Sequence, residues 1–175
     1  MLALILKTCG HHRYSNVSVA SRFNRTFPTT VSAASSAMSA PSGTGPSGSV
    51  AIAAKHALDH HGLQKVVIVD FDVHHGNGTQ DLLWNEERTF FCSSHQMPLY
   101  PGSGAIHETG AHGNVLNAPL APMTGSAEMR RAWGDLILPA VDDFAPELII
   151  ISAGFDAHAT DPLANLNWTE ADFSW

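Results

Sequence analysis

Two segments of the sequence carry carboxylates and an imidazole at spacings that could bind a metal ion. The first is Asp70-Phe-Asp72-Val-His74, and the second ends at Asp156. Residues two apart in an extended chain point to the same side, so Asp72 and His74 can converge on one point. Two carboxylates and one imidazole leave a zinc ion an open position for water, as catalytic zinc sites require. An Asp-x-His pair at a strand end is more often a turn or a solvated surface, so the spacing alone is weak evidence.

Both segments follow predicted strands. Val66–Asp70 and residues 147–152 are short apolar runs, typical of strands that are buried on both faces. A third run of this kind covers residues 89–92. In a parallel sheet the carboxyl ends of the strands meet at one edge, where ligands bind. The sequence therefore places its acidic residues at the edge where a site is expected.

Helices are predicted between these strands. Their ranges are residues 50–60 with a stop at Gly62, residues 79–86, residues 126–144 with a kink at Pro139, and a last helix capped by Thr169. Residues 94–125 contain four prolines and five glycines, which indicates loops. Strands that alternate with helices predict an α/β fold of three layers around a central parallel sheet.

A longer match surrounds the first metal-binding segment. Val69-Asp-Phe-Asp-Val-His-His-Gly-Asn-Gly-Thr-Gln80 resembles the metal-binding segment of the histone deacetylase and acetylpolyamine amidohydrolase family. Other segments agree with that family in the same order: Ser93-Ser-His95, Leu99-Tyr-Pro-Gly-Ser-Gly104, Ser152-Ala-Gly-Phe-Asp156 and Asp161-Pro-Leu163. The resemblance covers about residues 50–175 and implies an arginase/deacetylase-like fold, here as a partial domain.

The resemblance also implies roles for individual residues. Asp72, His74 and Asp156 would bind a catalytic zinc ion, and His75 would lie in the neighbouring wall of the active site. The activity implied is zinc-dependent hydrolysis that removes acetyl or other acyl groups from lysine side chains or related amines. The substrate would be an acetylated protein or a small acylated amine.

Three further positions match family residues around the site. Asp70 and Ser93 match positions that hold a structural monovalent cation, usually potassium. Tyr100 matches an aromatic position that lines the tunnel for the acylated lysine. Without the resemblance, ordinary packing would be the preferred interpretation of Tyr100, and a strand-end hydrogen bond that of Ser93.

Two catalytic segments of the family are not recognisable in the sequence. The family uses a Pro-Gly-His-His segment for proton transfer and a Gly-Gly-Tyr segment to stabilise the developing oxyanion. Gly10-His11-His12 lacks the proline, and neither Tyr14 nor Tyr100 follows two glycines. The sequence therefore predicts a domain that is truncated at both ends.

Two other functions compete with the deacetylase interpretation. One is a catalytically incompetent fragment or pseudoenzyme of the same family. The less favoured one is a binuclear manganese ureohydrolase, which requires an aspartate two residues after the histidine and an Asp-x-Asp pair. This chain has Gly76 at the first position and Asp156-Ala-His158 at the second. The sequence thus favours one metal ion.

Composition excludes several classes of partner. The chain has 175 residues, and its net charge is −7. Residues 59–175 hold all 16 carboxylates against four basic residues, a charge of −12, which argues against direct nucleic-acid binding. The sequence predicts no membrane association and gives no oligomeric state. Two cysteines, Cys9 and Cys92, form no disulfide framework and favour a reducing compartment, most simply the cytoplasm.

The N-terminal part differs in composition from the rest. Residues 1–48 are rich in Ser, Thr, Ala and Arg, contain no acidic residue and end in a Pro/Gly/Ser stretch. They show neither helical nor strand periodicity. We interpret them as a linker or as sequence that is not native to the gene. The alternative is an organellar transit peptide. Residues 49–175 then form the partial deacetylase-type domain.

Overall fold

The computed structural model of the protein describes residues 2–7, 18–20 and 48–175. The strands are β1 (Leu2–Lys7), β2 (Ser18–Ala20), β3 (Val66–Asp70), β4 (Thr89–Gln96), β5 (Val115–Leu120) and β6 (Leu148–Ala153). The helices are α1 (Gly48–His61), α2 (Asn77–Leu83), α3 (Ser126–Arg131), α4 (Leu138–Phe144) and α5 (Glu170–Ser174). A π-helical segment, Ala132–Ile137, joins α3 to α4.

The strands form one sheet of six strands in the order β2-β1-β6-β3-β4-β5. All neighbours pair in parallel except β1 and β2, which are antiparallel. Asp70 at the end of β3 pairs with Ser93 of β4 on one side and with Ser152 of β6 on the other. The carboxyl ends of these three strands therefore lie side by side.

Helices cover both faces of the sheet. Every residue of β3 is buried, as its continuous apolar sequence predicts. Alternate residues of β3 face opposite sides: Val67 packs in the cluster that includes Val141 of α4, and Ile68 in the cluster that includes Ala54 of α1. Burial of each large aliphatic side chain contributes about 1.5–3 kcal/mol. The predicted three-layer α/β fold is confirmed, and the central β3 is buried along its whole length.

Most predicted elements occur where expected. α1 extends slightly beyond the predicted helix and ends just before Gly62, whose φ of +70° suits glycine. β3 has the predicted bounds. The last helix begins at Glu170, after Thr169, whose hydroxyl donates a hydrogen bond to Asp172. Local sequence signals are therefore sufficient for these elements.

Three predictions differ from the structure. Residues 94–125 were expected to form loops, but they include β5, in which Asn117 and Pro119 interrupt the apolar pattern. The single helix predicted over residues 126–144 is interrupted by the π-helical segment shortly before Pro139, where a wider turn accommodates the missing proline N–H. Strands β1 and β2 lie within residues 1–48, for which no strand was predicted.

Within the described ranges, none of the helices has the length and the apolar composition that a membrane span requires. The longest helix among them, α1, has 14 residues.

Candidate metal centre

The residues predicted to bind metal come together at the ends of two paired strands. β3 ends at Asp70, so Asp72 and His74 follow it directly, and Asp156 lies three residues beyond the end of the neighbouring β6. One ligand atom from each of Asp72, His74 and Asp156 lies within 4.8 Å of the other two. The parallel pairing of β3 with β6 is what brings residues more than 80 positions apart into one cluster.

Hydrogen bonds fix the orientation of the three side chains. His74 Nδ1 lies 3.2 Å from Asp72 Oδ1 and 3.0 Å from Asp156 Oδ2. The backbone N–H of Val73 donates to the other oxygen of Asp156, at 3.0 Å. The backbone N–H of His74 donates to Asp72 Oδ1, at 2.8 Å. Each carboxylate is thus held by a backbone amide while it faces the imidazole.

The imidazole is strongly influenced by the carboxylates. Hydrogen bonds to Asp156 and to Asp72 raise the pKa of His74 to about 10. Burial acts to raise the pKa of Asp156, but the hydrogen bonds from His74 and from the Val73 amide, together with the charge of His74, outweigh it and the pKa is lowered. Without a metal ion, a protonated His74 therefore balances the negative charge of its neighbours.

A glycine makes room for one of these carboxylates. A Cβ atom on Gly154 would lie 2.6 Å from Asp72 Cγ and 2.8 Å from Asp72 Cα. Real Cβ atoms do not approach so closely, so β6 and the segment after β3 can be this near only with glycine at position 154. The sequence motif around Gly154 was recognised, but the contact that requires glycine could not be predicted from it.

The donor set fits a divalent metal ion. Two carboxylates and one imidazole are ligands that zinc accepts, and a site with three protein ligands keeps a position for water or substrate. Asp72, His74 and Asp156 are the sole group of three or more His, Cys, Asp or Glu ligands that could hold a metal ion in the part of the chain that the structure describes. Their side chains are partly accessible, at 22%, 35% and 26% exposure respectively. A metal ion could therefore reach them from solvent.

The pair predicted to hold a monovalent cation lies on adjacent strands. Asp70 is 3% exposed and pairs across the sheet with Ser93, which is fully buried. Burial and the charge of Asp72 raise the pKa of Asp70 to about 8. Ser93 Oγ lies 2.9 Å from Nδ1 of His95. A buried carboxylate beside a second carboxylate is a place where a cation would be favourable.

The other two predicted site residues differ in exposure. His75 is 4% exposed, and its ring lies 4.8 Å from that of His95. Its two nitrogens face Ser103 Oγ and Gln80 Oε1, at 2.8 and 3.1 Å. Tyr100 is 79% exposed and precedes a cis peptide bond to Pro101. Their assigned roles, in the active-site wall and the acyl tunnel, stay predictions.

Several histidines and tyrosines do not belong to this cluster. His158 Nδ1 lies 2.8 Å from the hydroxyl of Thr160, so its ring takes part in a local turn. His11, His12 and Tyr14, considered above for catalytic roles, lie outside the described residues.

A family model described as the histone deacetylase domain matches residues 35–175. The chain belongs to the histone deacetylase family.

Relatives of several origins are similar to it. It is 48% identical over 129 residues to histone deacetylase 10, chloroplastic, of Oryza sativa, covering 72% of this chain and 29% of that protein. It is 42% identical over 116 residues to a probable deacetylase of Archaeoglobus fulgidus, covering 65% and 32%. The chain thus spans about a third of the length of these relatives.

Solved structures agree with the fold. The HDA15 HD domain superposes with a TM-score of 0.68 at 39% identity, covering 71% of this chain and 38% of that one. An acetylpolyamine aminohydrolase from Burkholderia pseudomallei superposes with a TM-score of 0.63 at 29% identity, covering 67% and 35%. The predicted arginase/deacetylase-like architecture, present as part of a larger domain in these relatives, is confirmed.

Proposed function

We propose that the protein is a zinc-dependent amide hydrolase that removes acetyl or other acyl groups from lysine side chains or related amines. The observation that carries this proposal is the convergence of Asp72, His74 and Asp156 at the ends of β3 and β6. Membership of the histone deacetylase family supports an amide as the bond that is hydrolysed.

Each of the three side chains has a defined task in this proposal. Asp72, His74 and Asp156 would hold the zinc ion, and His74 would give up its Nδ1 proton on binding, because imidazole binds metals in its neutral form. When bound, zinc polarises the acyl carbonyl and lowers the pKa of water at the site. The amide of Val73 would keep one Asp156 oxygen fixed while the other faces the metal.

Two classes of substrate are supported by the relatives. Some are named histone deacetylases, and one solved structure is an acetylpolyamine aminohydrolase. We propose an acetylated protein or a small acylated amine as the substrate, with the acyl group directed at the three metal-binding residues.

The binuclear alternative has less support. A second metal ion would need a carboxylate at position 76, where a Cβ atom on Gly76 would lie 2.8 Å from Asp70 Oδ2 and 3.2 Å from the Phe91 ring. It would also need a carboxylate at position 158, where this chain has His158, whose Nδ1 is hydrogen-bonded to the hydroxyl of Thr160. These contacts favour one catalytic metal ion, with Asp70 and Ser93 as a separate place for a potassium ion.

Hydrolysis of an acetyl-lysine peptide by the 175-residue chain tests the proposed activity. We expect acetate release that requires zinc, stops with a chelator and is lost in Asp156→Asn. Asp142→Asn is a matched control, because Asp142 is exposed on α4. A chain that binds zinc without releasing acetate would instead support the incompetent-fragment interpretation.

The cellular location can be tested separately. The two cysteines favour the cytoplasm, whereas two relatives carry the word chloroplastic in their names and residues 1–48 lack acids. A fluorescent protein fused after residue 48 would enter an organelle if these residues are a transit peptide, and would stay in the cytoplasm if they are a linker.

A further inference from the structure

Next to the residues proposed to bind metal, two buried polar side chains and one half-buried carboxylate, from three parts of the chain, form one hydrogen-bonded network. It consists of His75 after β3, Gln80 of α2 and Glu108 of the loop between β4 and β5, and we call it the His75–Gln80–Glu108 network. His75 and Gln80 are 4% and 3% exposed. His75 immediately follows the metal-binding residue His74 in the chain.

The direction of each hydrogen bond follows from the groups involved. Asn117 Nδ2 can only donate, so Gln80 Oε1, at 2.8 Å, accepts from it. The same oxygen must accept from His75 Nε2, at 3.1 Å, so that nitrogen carries a proton. Gln80 Nε2 donates to Glu108 Oε2, at 2.6 Å. The other ring nitrogen, His75 Nδ1, lies 2.8 Å from the hydroxyl of Ser103, which can donate to it.

Glu108 connects this network to the loop that follows Tyr100. Its carboxylate accepts from the backbone amides of Gly104, at 3.1 and 3.2 Å, and Ala105, at 3.1 Å. The carbonyl of Gly104 accepts from His95 Nε2, at 3.0 Å. A Cβ atom on Gly104 would lie 2.7 Å from the ring of His75, and its φ is +90°. The loop backbone is therefore held against His75 on several sides.

Burial of these polar side chains costs free energy, and a positional role is a physical reason for the protein to keep them. An apolar core of the same shape would avoid the burial of polar groups, whereas a satisfied network restricts the side chains to one arrangement. Because both ring nitrogens of His75 are hydrogen-bonded, the backbone of His75 is restrained, and so is the backbone of the adjacent His74. Groups that hydrogen-bond a metal ligand directly typically change metal affinity by about 10–100-fold. Gln80 and Glu108 act one residue further from the ligands, so we expect an effect at the lower end of that range.

We propose that Gln80 and Glu108 are positioning residues for the metal centre, which act through His75 to hold His74 and the loop after Tyr100 in place. This inference rests on the metal site of the proposed function. It extends that site to two residues that contact no predicted metal ligand and to which the sequence analysis assigned no role.

Exchange of the two side chains tests the direction of the hydrogen bonds. Gln80→Glu places two carboxylates where Gln80 Nε2 now donates to Glu108, and we expect zinc affinity to fall about tenfold. In the double variant Gln80→Glu/Glu108→Gln, the amide introduced at position 108 can donate to the carboxylate introduced at position 80. Its oxygen can still accept from the Gly104 and Ala105 amides, so zinc affinity should return close to the wild-type value. Calorimetric titration of the 175-residue chain with zinc measures both variants.

Two further variants separate positioning from general stability. Asn85→Asp adds the same charge at an exposed site after α2 and should leave zinc affinity unchanged. Gln80→Met keeps the volume of the side chain and does not introduce the negative charge that Gln80→Glu introduces. It should therefore fold even where Gln80→Glu does not, and it should also weaken zinc binding because the hydrogen bonds of Gln80 are lost. Equal zinc affinity in wild type, Gln80→Glu and Gln80→Met would overturn the inference, as would failure of the double variant to recover.

Failure of the proposed metal site would be recognised separately. If the wild-type chain binds no zinc, the proposed function is wrong, and the claim that Gln80 and Glu108 position a metal centre is overturned with it. Hydrogen exchange at Gly104 and Ala105 then reports whether the network still holds the loop. If zinc binds, the same amides should exchange faster in Gln80→Glu and recover protection in the double variant, and unchanged exchange would contradict the inference.

Discussion

Acidic side chains occur in two kinds of surroundings in this protein. Near α1, acidic and basic residues lie together in what we call the surface ion cluster, made of Asp59, Glu86, Lys55 and Arg88. At the ends of β3 and β6, three acidic residues and one imidazole lie together in what we call the strand-end cluster, made of Asp70, Asp72, Asp156 and His74. The first cluster has as many cations as carboxylates, and the second does not.

The pKa values reflect this difference. Hydrogen bonds from Arg88 lower the pKa of Glu86 to about 2, although its partial burial opposes the change. Burial and the charge of Asp72 raise the pKa of Asp70 to about 8. The protein's own cations therefore stabilise the surface carboxylates. At the strand ends, protons on Asp70 and His74 take this role, and that is a physical reason to expect a cation there.

Removal of a strand-end ligand should have the largest effect. Asp156→Asn keeps the size of the side chain but removes its charge and a ligand oxygen. We expect zinc affinity to fall by more than about 100-fold, since a direct ligand should matter more than the outer partners that cost about 10–100-fold. Titration with zinc measures this, and Asp142→Asn should bind like wild type. Equal binding by Asp156→Asn and wild type would place the metal elsewhere.

Crowding of the strand-end cluster should have the next largest effect. Gly154→Ala puts a methyl group within 2.6 Å of Asp72 Cγ, which must then move. Overpacking of this kind costs about 1–3 kcal/mol. We expect weaker zinc binding together with a lower midpoint in thermal unfolding. Gly113→Ala is a partial control, because nothing lies within 4 Å of its Cβ position although its φ of +68° also favours glycine. An unchanged zinc affinity in Gly154→Ala would show that Asp72 is not held as described.

The strand-end cluster should make zinc binding depend on pH. His74 has a pKa of about 10 and must lose its proton to bind metal. The proton released by His74 alone gives about a tenfold increase in affinity for each pH unit between about pH 6 and 8, and release of the Asp70 proton would make the increase steeper. Titrations with zinc at several pH values, in buffers of known pKa, measure how zinc affinity changes with pH. An affinity that does not change over this range would contradict a protonated His74 in the metal-free protein.

Stability of the metal-free protein should change with pH in the opposite direction. The folded pKa of His74 lies above its ordinary value of 6.5, so its ion pairs stabilise the fold fully below pH 6.5 and are lost as pH rises towards 10. Asp70, raised from 3.8 to about 8, acts in the same direction. Chemical denaturation at about pH 6 and about pH 9 should therefore give a lower unfolding free energy at the higher pH, and saturating zinc should remove this loss.

The surface ion cluster should give the smallest effects. Glu86→Gln should reduce the unfolding free energy by about 1 kcal/mol, and Asp59→Asn should cause no measurable change, because Asp59 is exposed and exposed ion pairs contribute little. The folded pKa of Glu86 is below its ordinary value of 4.5, so its contribution is present above pH 4.5 and lost as pH falls to about 2. Urea denaturation at about pH 7 and about pH 3 measures both, with exposed Glu87→Gln as the control. A larger loss in Asp59→Asn than in Glu86→Gln would contradict this order.

The sequence was sufficient for features that depend on local pattern. Val66–Asp70 was predicted with its observed bounds, because a continuous apolar run before a polar segment identifies a buried strand. The spacing of Asp72 and His74 suggested that their side chains converge on one metal ion. The alternation of strands and helices placed Asp156 at the same edge of the sheet, and in the structure it lies beside them.

Other features depend on contacts between distant residues. β5 was missed because Asn117 points into the buried network and Pro119 lies at a half-buried position, so neither resembles strand sequence. The requirement for Gly154 arises only once Asp72 lies against it. Gln80 and Glu108 lie 28 positions apart, and no periodic pattern relates them.

Native mass spectrometry of the 175-residue chain with zinc tests the central claim most directly. The strand-end cluster predicts one zinc ion per chain in the wild type and in Asp142→Asn, and none in Asp156→Asn. Two ions that are both lost in Asp156→Asn would favour a binuclear site. Zinc retained in full by Asp156→Asn would contradict the assignment of Asp72, His74 and Asp156 as the metal centre.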